Sequence, residues 1–435
     1  MADLTQINNG DDADATVVMA NLNAINTDVT TALTGTVAAT RLDWAGATVP
    51  VAAIPTSQIS TLAGAVVYGV DGDPLQVRAQ GYPFTRRHVV NWATTPTDVG
   101  YVAPIKLGFL VCNTGGDAVL EVARNTTGGQ DDLLATQLNH AFGAADDPIH
   151  AVAIDSQTAY VSCQGSRLIR RITLNSASAP TTVIDLSATY AQIGRIFTNR
   201  NADYLYVAAR VTADVNFRRL VRVDIRAATP VATECSLADD FSIVDVVVCY
   251  SGSAGASATG QVLIAQFDTT AAGGSVFRNR ESSTGAYGGT WAATPDGTVK
   301  SYASPEFIYA MVGVRNKVAV LTQNATTISC HWLSYDESPT PGLAELFDST
   351  IAASTPVLVR SAAATDGYNI LCQRDDGKLV WFVPTTATGV AWSVHTGLAS
   401  AAGTYTFPAG MAFTGKTFAG AFRVTANGNA KFYML

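Results

Sequence analysis

Seven short apolar runs recur along this chain at nearly constant separation, and no other feature of the sequence limits its fold so strongly. They are Phe109–Cys112, Tyr160–Cys163, Leu205–Ala208, Val262–Ala265, Val318–Leu321, Ile370–Cys372 and Phe418–Ala421. From Val111 through Val161, Val207, Ile264, Val320 and Leu371 to Ala421, the intervals are 50, 46, 57, 56, 51 and 50 residues. The unit is clearest around the third run. Ile193–Thr198, DYLYVAAR ending at Arg210, RRLVRVDI ending at Ile225 and TPVATECS ending at Ser236 each alternate apolar with polar or small residues. A half-buried strand needs that period of two, because successive side chains point to opposite faces. The breaks carry Asp, Asn, Ala, Thr and Pro, which suit turns. Four strands per period of roughly 40–50 residues predict a β-propeller, with one antiparallel meander per blade. Seven units fit between about Arg86 and Leu435, so the expected fold is mainly β, a seven-bladed propeller with four-stranded blades. No WD or kelch signature accompanies the pattern.

The ends of this region predict how it closes. The seventh unit has three strands, at 407–413, 416–425 and 429–435. Its last strand would leave an unpaired edge. Ahead of the first unit, Arg87–Ala93 reads as a strand without a sheet. Pairing it beside the last unit would complete the ring.

Composition supports a folded chain. Of 435 residues, 48% are apolar and 14% charged, which is not a disordered balance. The net charge of −8 argues against nucleic acid as a partner, since phosphate binding calls for clustered Lys and Arg. The densest basic pairs, Arg170-Arg171 and Arg218-Arg219, fall within predicted strands and read as a solvated strand face. No run is long and apolar enough to span a membrane, and the start lacks the basic-then-apolar pattern of a signal peptide. Synthesis in a cytoplasm is expected. Six cysteines stand at 112, 163, 235, 249, 330 and 372 without CxxC spacing. Three of them fall on second strands, the pattern of buried small hydrophobes, with bridges in an assembled particle as the alternative.

The first 85 residues differ in kind. Asp14 can cap a helix, and Val18, Leu22, Ile25, Val29 and Ala32 follow at heptad spacing. The outward positions are Asn, Thr and Asp, poor helix formers, so an isolated helix would be marginal and the seam calls for partner chains. The alternative is an amphipathic helix packed on its own propeller. Two octads follow, Gly35–Leu42 and Ala47–Ile54, and then Pro55–Ile59. Their anchors Val37, Leu42, Val49, Ile54 and Ile59 are often five apart, which fits an extended chain winding around its own copies. Gly64–Tyr82, with a turn at 70–74, reads as a neck. The expected division is 1–34 anchor and coiled-coil helix, 35–63 shaft, 64–85 neck and 86–435 propeller.

Gln6–Gly10, the run from Asp14 to Ile25 (DATVVMANLNAI) and the two G/A-T-V octads together resemble the N-terminal part of tailed-bacteriophage fibre and spike proteins. The resemblance spans about Leu4 to Ile59. It implies a short helix near the virion attachment point and a trimeric shaft, the latter matched by Thr36, Val37, Arg41 and Leu42 and by Thr48, Val49, Pro50 and Ile54. A propeller tip departs from the β-helices and small globular tips usual in that family.

The propeller region offers no convincing catalytic set. Adjacent carboxylates at Asp131-Asp132, Asp146-Asp147, Asp239-Asp240 and Asp375-Asp376 would point to opposite faces of a strand, and read instead as turn formers. Asp375–Trp381 and Pro295–Thr298 resemble degenerate aspartate boxes and read as hairpin turns. The histidines at 88, 140, 150, 331 and 395 lack metal-ligand spacing, and no P-loop, Rossmann or G-x-S-x-G motif is present. Neither a metal nor another cofactor is expected. Binding remains. The connections from second to third strands, at 113–117, 164–167, 212–216, 270–274, 323–326 and 374–378, are rich in Asn, Gln, Gly and Thr, which suit carbohydrate. Tyr287 and Trp291 are the aromatic candidates for a glycan; equally, Trp291 begins an outer strand and packs between blades.

The sequence thus leads to a non-enzymatic homotrimeric appendage of a phage virion. It would join other virion proteins through its N-terminus and meet a host-surface receptor or glycan through its propeller. The alternatives are a tailspike-type enzyme degrading host polysaccharide and a passive capsid decoration fibre.

Overall fold

The computed structural model describes residues 88–89 and most of 98–434; residues 1–87 and several connecting stretches lie outside the described residues. The helix, shaft and neck expected before residue 86, with their seam and anchor residues, therefore fall outside them. The chain divides into two units, Met1–Thr85 and Arg86–Leu435. The second unit is described below.

It is built from seven antiparallel sheets among the described residues. A two-residue strand, β1 (His88–Val89), finds its partner only at the far end of the chain. The first sheet holds β2 (Val99–Ile105), β3 (Gly108–Asn113), β4 (Ala118–Ala123) and β5 (Thr136–Ala141). The second holds β6 (Pro148–Ala153), β7 (Thr158–Cys163), β8 (Leu168–Thr173) and β9 (Thr181–Asp185). The third holds β10 (Gln192–Thr198), β11 (Tyr204–Arg210), β12 (Arg219–Asp224) and β13 (Val231–Ser236), the meander read from sequence. The fourth holds β14 (Phe241–Tyr250), β15 (Gly260–Asp268), β16 (Gly274–Arg280) and β17 (Gly297–Tyr302). The fifth holds β18 (Phe307–Val314), β19 (Lys317–Gln323), β20 (Thr327–Tyr335) and β21 (Leu343–Ala352). The sixth holds β22 (Val359–Ala364), β23 (Ile370–Arg374), β24 (Lys378–Phe382) and β25 (Val390–Ser393). In each of these six, strands pair in chain order. Each of the first six recurring apolar runs lies on the second strand of its sheet.

The last sheet is assembled from both ends of the unit. It contains β26 (Tyr405–Thr406), β27 (Met411–Thr414), β28 (Thr417–Val424) and β29 (Ala430–Met434). Both β26 and β27 pair with β28, so its first strand is interrupted. The outer edge of β29 is covered by β1, with His88 opposite Met434 and Val89 opposite Tyr433. The unpaired edge expected at the end of the chain is thus satisfied by the orphan strand from before the first sheet.

First strands pack on first strands around the unit. β2 packs on β6, β6 on β10, β10 on β14, β14 on β18, β18 on β22, β22 on β27 and β27 back on β2. The core lies between neighbouring sheets rather than within one. Leu110 and Cys112 of the first sheet share a cluster with Ala159, Val161 and Ile172 of the second. Leu205, Val207 and Val221 of the third meet Tyr160 and Ile169 of the second. This explains the second-strand runs: a strand inside a stack of sheets is covered on both faces, so several consecutive positions become apolar.

A repeated irregularity sets the inner strands apart. A one-residue bulge interrupts the pairing of first and second strands between Val99 and Tyr101, Pro148 and His150, Ile193 and Ile196, Ile243 and Asp245, and Ile308 and Ala310, and again between Val359 and Ser361. The first five occupy the same rung of their sheets. A bulge raises local twist and leaves a backbone residue without a ladder partner. Groups from adjacent sheets take up what the bulges release. Thr114 Oγ1 donates to the Pro148 carbonyl at 2.9 Å. Ser162 Oγ donates to the Gly194 carbonyl at 2.7 Å. Arg195 Nη1 donates to the Val244 carbonyl at 2.9 Å. Asp245 Oδ2 accepts from the Met311 amide at 3.1 Å. The approach is close: a Cβ on Gly100 would lie 2.7 Å from the Ile149 carbonyl oxygen. Only glycine fits there.

Candidate functional site

Each sheet is an antiparallel meander, so its second-to-third connection and the start of its first strand lie at the same end. The polar connections predicted as a binding face join second to third strands in six sheets, as expected. Those whose side chains are described are tightly braced. Asp117, at φ 45°, accepts from the Asp147 amide at 2.9 Å and the Ala145 amide at 3.2 Å. Asp146 accepts from the Gly143 amide at 2.8 Å and pairs with Arg170 at 3.0 Å. The Asp146-Asp147 pair therefore shapes a turn, as read from sequence.

Arg218 and Arg219 do not form a solvated strand face. Both grip the buried carboxylate of Asp214, each at 2.7 Å, and Arg219 also reaches Glu234 at 2.5 Å. Arg170, engaged with Asp146, departs from that expectation in the same way. The reason is tertiary: the loop carrying Asp214 folds back over the strand that follows it. Asp214 is held down to about 2; burial opposes this, and the hydrogen bonds from Arg219 and Arg218 overcome it. The clasp fixes a loop whose tip, Val215, is almost fully exposed.

Trp291 packs between the third and fourth sheets. Its ring lies 5.7 Å from that of Tyr206, and the Arg222 guanidinium sits 4.9 Å from its centre. Its indole nitrogen is buried without a hydrogen-bond partner. The outer strand begins at Gly297, after Trp291. Tyr287 lies outside the described residues. Among the described residues, no cluster of three or more His, Cys, Asp or Glu side chains is arranged to hold a metal ion. His140 faces Glu121 at 3.0 Å and His331 faces Glu306 at 2.9 Å, both as braces between neighbouring segments.

The constellation that sequence reading missed lies where four inner strands bulge. Tyr101, His150, Arg195 and Asp245 come from β2, β6, β10 and β14, one per consecutive sheet. The rings of Tyr101 and His150 stack with centroids 3.6 Å apart, and Phe197 of β10 lies 5.7 Å from His150. Tyr101 and Asp245 are half-buried. A cavity of 240 Å³ is lined by Tyr101 and His150 of this set, with Phe197, Pro104, Val152 and Val246 among others; Arg195 and Asp245 do not line it. Burial, with Asp245 nearby, raises the Tyr101 hydroxyl to about 12. Burial and then Arg195 push His150 well below the usual imidazole range. Burial raises the Asp245 carboxyl, against the pull of Arg195 and two backbone amides. At neutral pH the pair of stacked rings is therefore a phenol and a neutral imidazole. These residues recur at intervals of 49, 45 and 50 residues, a signal visible in sequence only once the inner strands are placed in register.

No family model matches this sequence, and no curated protein does. Among solved structures, the chain is similar to the β-propeller domain of Cps50 (Swd1) from Myceliophteria thermophila, with a TM-score of 0.51 and 9% identity over 79% of this chain and 98% of that one. It is also similar to YCF48 bound to D1 peptide, with a TM-score of 0.50 and 8% identity over 81% of this chain and 98% of that one. Likeness at such low identity speaks to fold alone, and the fold is a β-propeller.

Proposed function

We propose that this chain is a fibre or spike of a tailed-bacteriophage virion that displays a seven-bladed β-propeller to the host surface. Residues 1–34 join the virion and trimerise as a coiled coil, 35–63 form an extended trimeric shaft, and 64–85 form a neck. The propeller then meets a receptor or glycan on the cell. The observation that carries this reading is the Leu4–Ile59 pattern, in which a heptad seam and five-residue anchors leave apolar groups that one chain cannot cover. A self-contained ring with braced, amide-rich connections at one end supports it as the displayed part. Particles made inside the bacterial host would carry the protein as a virion component.

The test is competition. Purified full-length chain, mixed with host cells before infection, should slow adsorption of the particles in proportion to its concentration. Unchanged adsorption at saturating protein would overturn the attachment role and leave passive decoration. Release of new reducing ends from host polysaccharide would replace it with a degrading enzyme.

A further inference from the structure

We infer that the cavity between the inner strands of the first four sheets takes an uncharged acyl group, the acetyl substituent of a surface sugar. This rests on the attachment reading and gives it a location. The wall comes from β2, β6, β10 and β14, through Tyr101, His150, Phe197 and Val246 among others. At 240 Å³ the cavity lies below the ~300–1,000 Å³ of ordinary small-molecule pockets, and so suits one substituent with part of its ring rather than a chain. Its polar side chains are few. Thr198 Oγ1 already donates to the Tyr204 carbonyl at 3.0 Å. Tyr101 Oη and His150 Nε2 have no hydrogen-bond partner among the described residues, and both keep accessible surface. His150 is 6% exposed, and of its ring nitrogens only Nδ1 is enclosed without a partner.

The chemistry of this wall selects the ligand. The Tyr101 phenol keeps its proton at neutral pH and donates. An enclosed N–H without an acceptor is costlier than a bare ring nitrogen, so the His150 proton belongs on Nε2, which also donates. The cavity thus offers two donors on stacked rings whose centres are 3.6 Å apart. Most of the remaining wall is apolar, with Val152, Ile196, Phe197 and Val246. Two donors call for an acceptor, and a carbonyl oxygen has two lone pairs to give them. The apolar wall calls for a small hydrocarbon beside that oxygen. An acetyl group joins both, with its oxygen toward Tyr101 and His150 and its methyl toward the aliphatic side chains. A bare sugar hydroxyl also accepts, but leaves the apolar wall unfilled. Among the described residues, no Asp, Glu, Lys or Arg lines the cavity, so a carboxylate or ammonium would give up its hydration unpaired.

The experiment is saturation-transfer NMR on the full-length chain with N-acetylglucosamine, 6-O-acetylglucose, glucose and, as the charged control, acetate. At least one acetylated sugar should bind with its methyl protons the most saturated, and which one tells an amide from an ester source. Glucose and acetate should receive no saturation. Tyr101→Phe keeps the ring stack and should weaken the binding about three- to tenfold at unchanged melting temperature. Neither acetylated sugar bound, saturation strongest on ring protons, an equal response from glucose or acetate, or binding indifferent to Tyr101→Phe would each overturn the site. Failure of the site and of the attachment role are distinguishable. A chain that blocks adsorption equally well with Tyr101→Phe and binds no acetylated sugar keeps attachment and loses the acetyl site. Tyr101-dependent binding of an acetylated sugar without any block of adsorption does the reverse.

Discussion

The hydroxyl of Ser162 donates a 2.7 Å hydrogen bond to the carbonyl of Gly194, from the second strand of one sheet to the bulged first strand of the next. Ser162 is fully buried. The bond therefore satisfies a carbonyl that neither water nor its own ladder can reach. Ser162→Ala should leave that group unpaired and lower unfolding stability by about 1–3 kcal/mol, read from the urea midpoint at unchanged slope. A loss within a few tenths would show that the carbonyl finds another donor.

The clasp around Asp214 predicts a pH dependence. Its carboxyl sits at about 2 in the folded chain and near the ordinary carboxylate value when unfolded. A depressed folded value stabilises fully above the unfolded value, and that contribution fades as pH falls from about 4 toward 2. Asp214→Asn should remove on the order of 2 kcal/mol at pH 7 and much less at pH 2.5. Equal destabilisation at both pH values would mean that Asp214 acts through packing rather than charge.

The five thiols among the described residues should be silent in the native protein. Cys112, Cys163, Cys235 and Cys330 are buried, and burial above all raises Cys235 to about 11 and Cys249 to about 12. Thiolate is the reactive form. Native chain should react slowly with a disulfide reagent at pH 8, and denatured chain at once, with peptide mapping to assign the sites. Rapid native labelling of Cys112 or Cys163 would contradict the packing of the first and second sheets.

Pairing of His88 and Val89 with β29 should matter to solubility. A chain starting at residue 86 should stay dispersed in light scattering, whereas one starting at residue 91 exposes the edge of β29 and should aggregate or melt lower. Identical behaviour of the two would make the closing strand dispensable.

Assembly is tested at the other end. If the chain trimerises as proposed, Leu22→Asp with Ile25→Asp should give monomers by light scattering, since two charges per chain would enter the proposed apolar seam. An unchanged mass would remove the seam from the account.

The four-stranded antiparallel meander, the position of the second strands and the closing partner of β29 were legible in the amino-acid order, because alternation, turn residues and an unpaired edge are local or terminal properties of a chain. Phe109–Cys112 and Leu205–Ala208 mark strands from sequence alone; that both of their faces are covered follows from the stacking of sheets. What tertiary structure alone decided is the state of the polar residues. Arg218 and Arg219 look like a solvated pair until the loop with Asp214 folds over them. Tyr101, His150, Arg195 and Asp245 look like four unrelated positions until equivalent bulges set them on four consecutive inner strands. Asp214 lies only four and five residues from the arginines that grip it, yet no alternation pattern reports that the loop turns back; the other four come from strands some 50 residues apart in sequence, and their placement is fixed by how sheets stack, which no local pattern encodes.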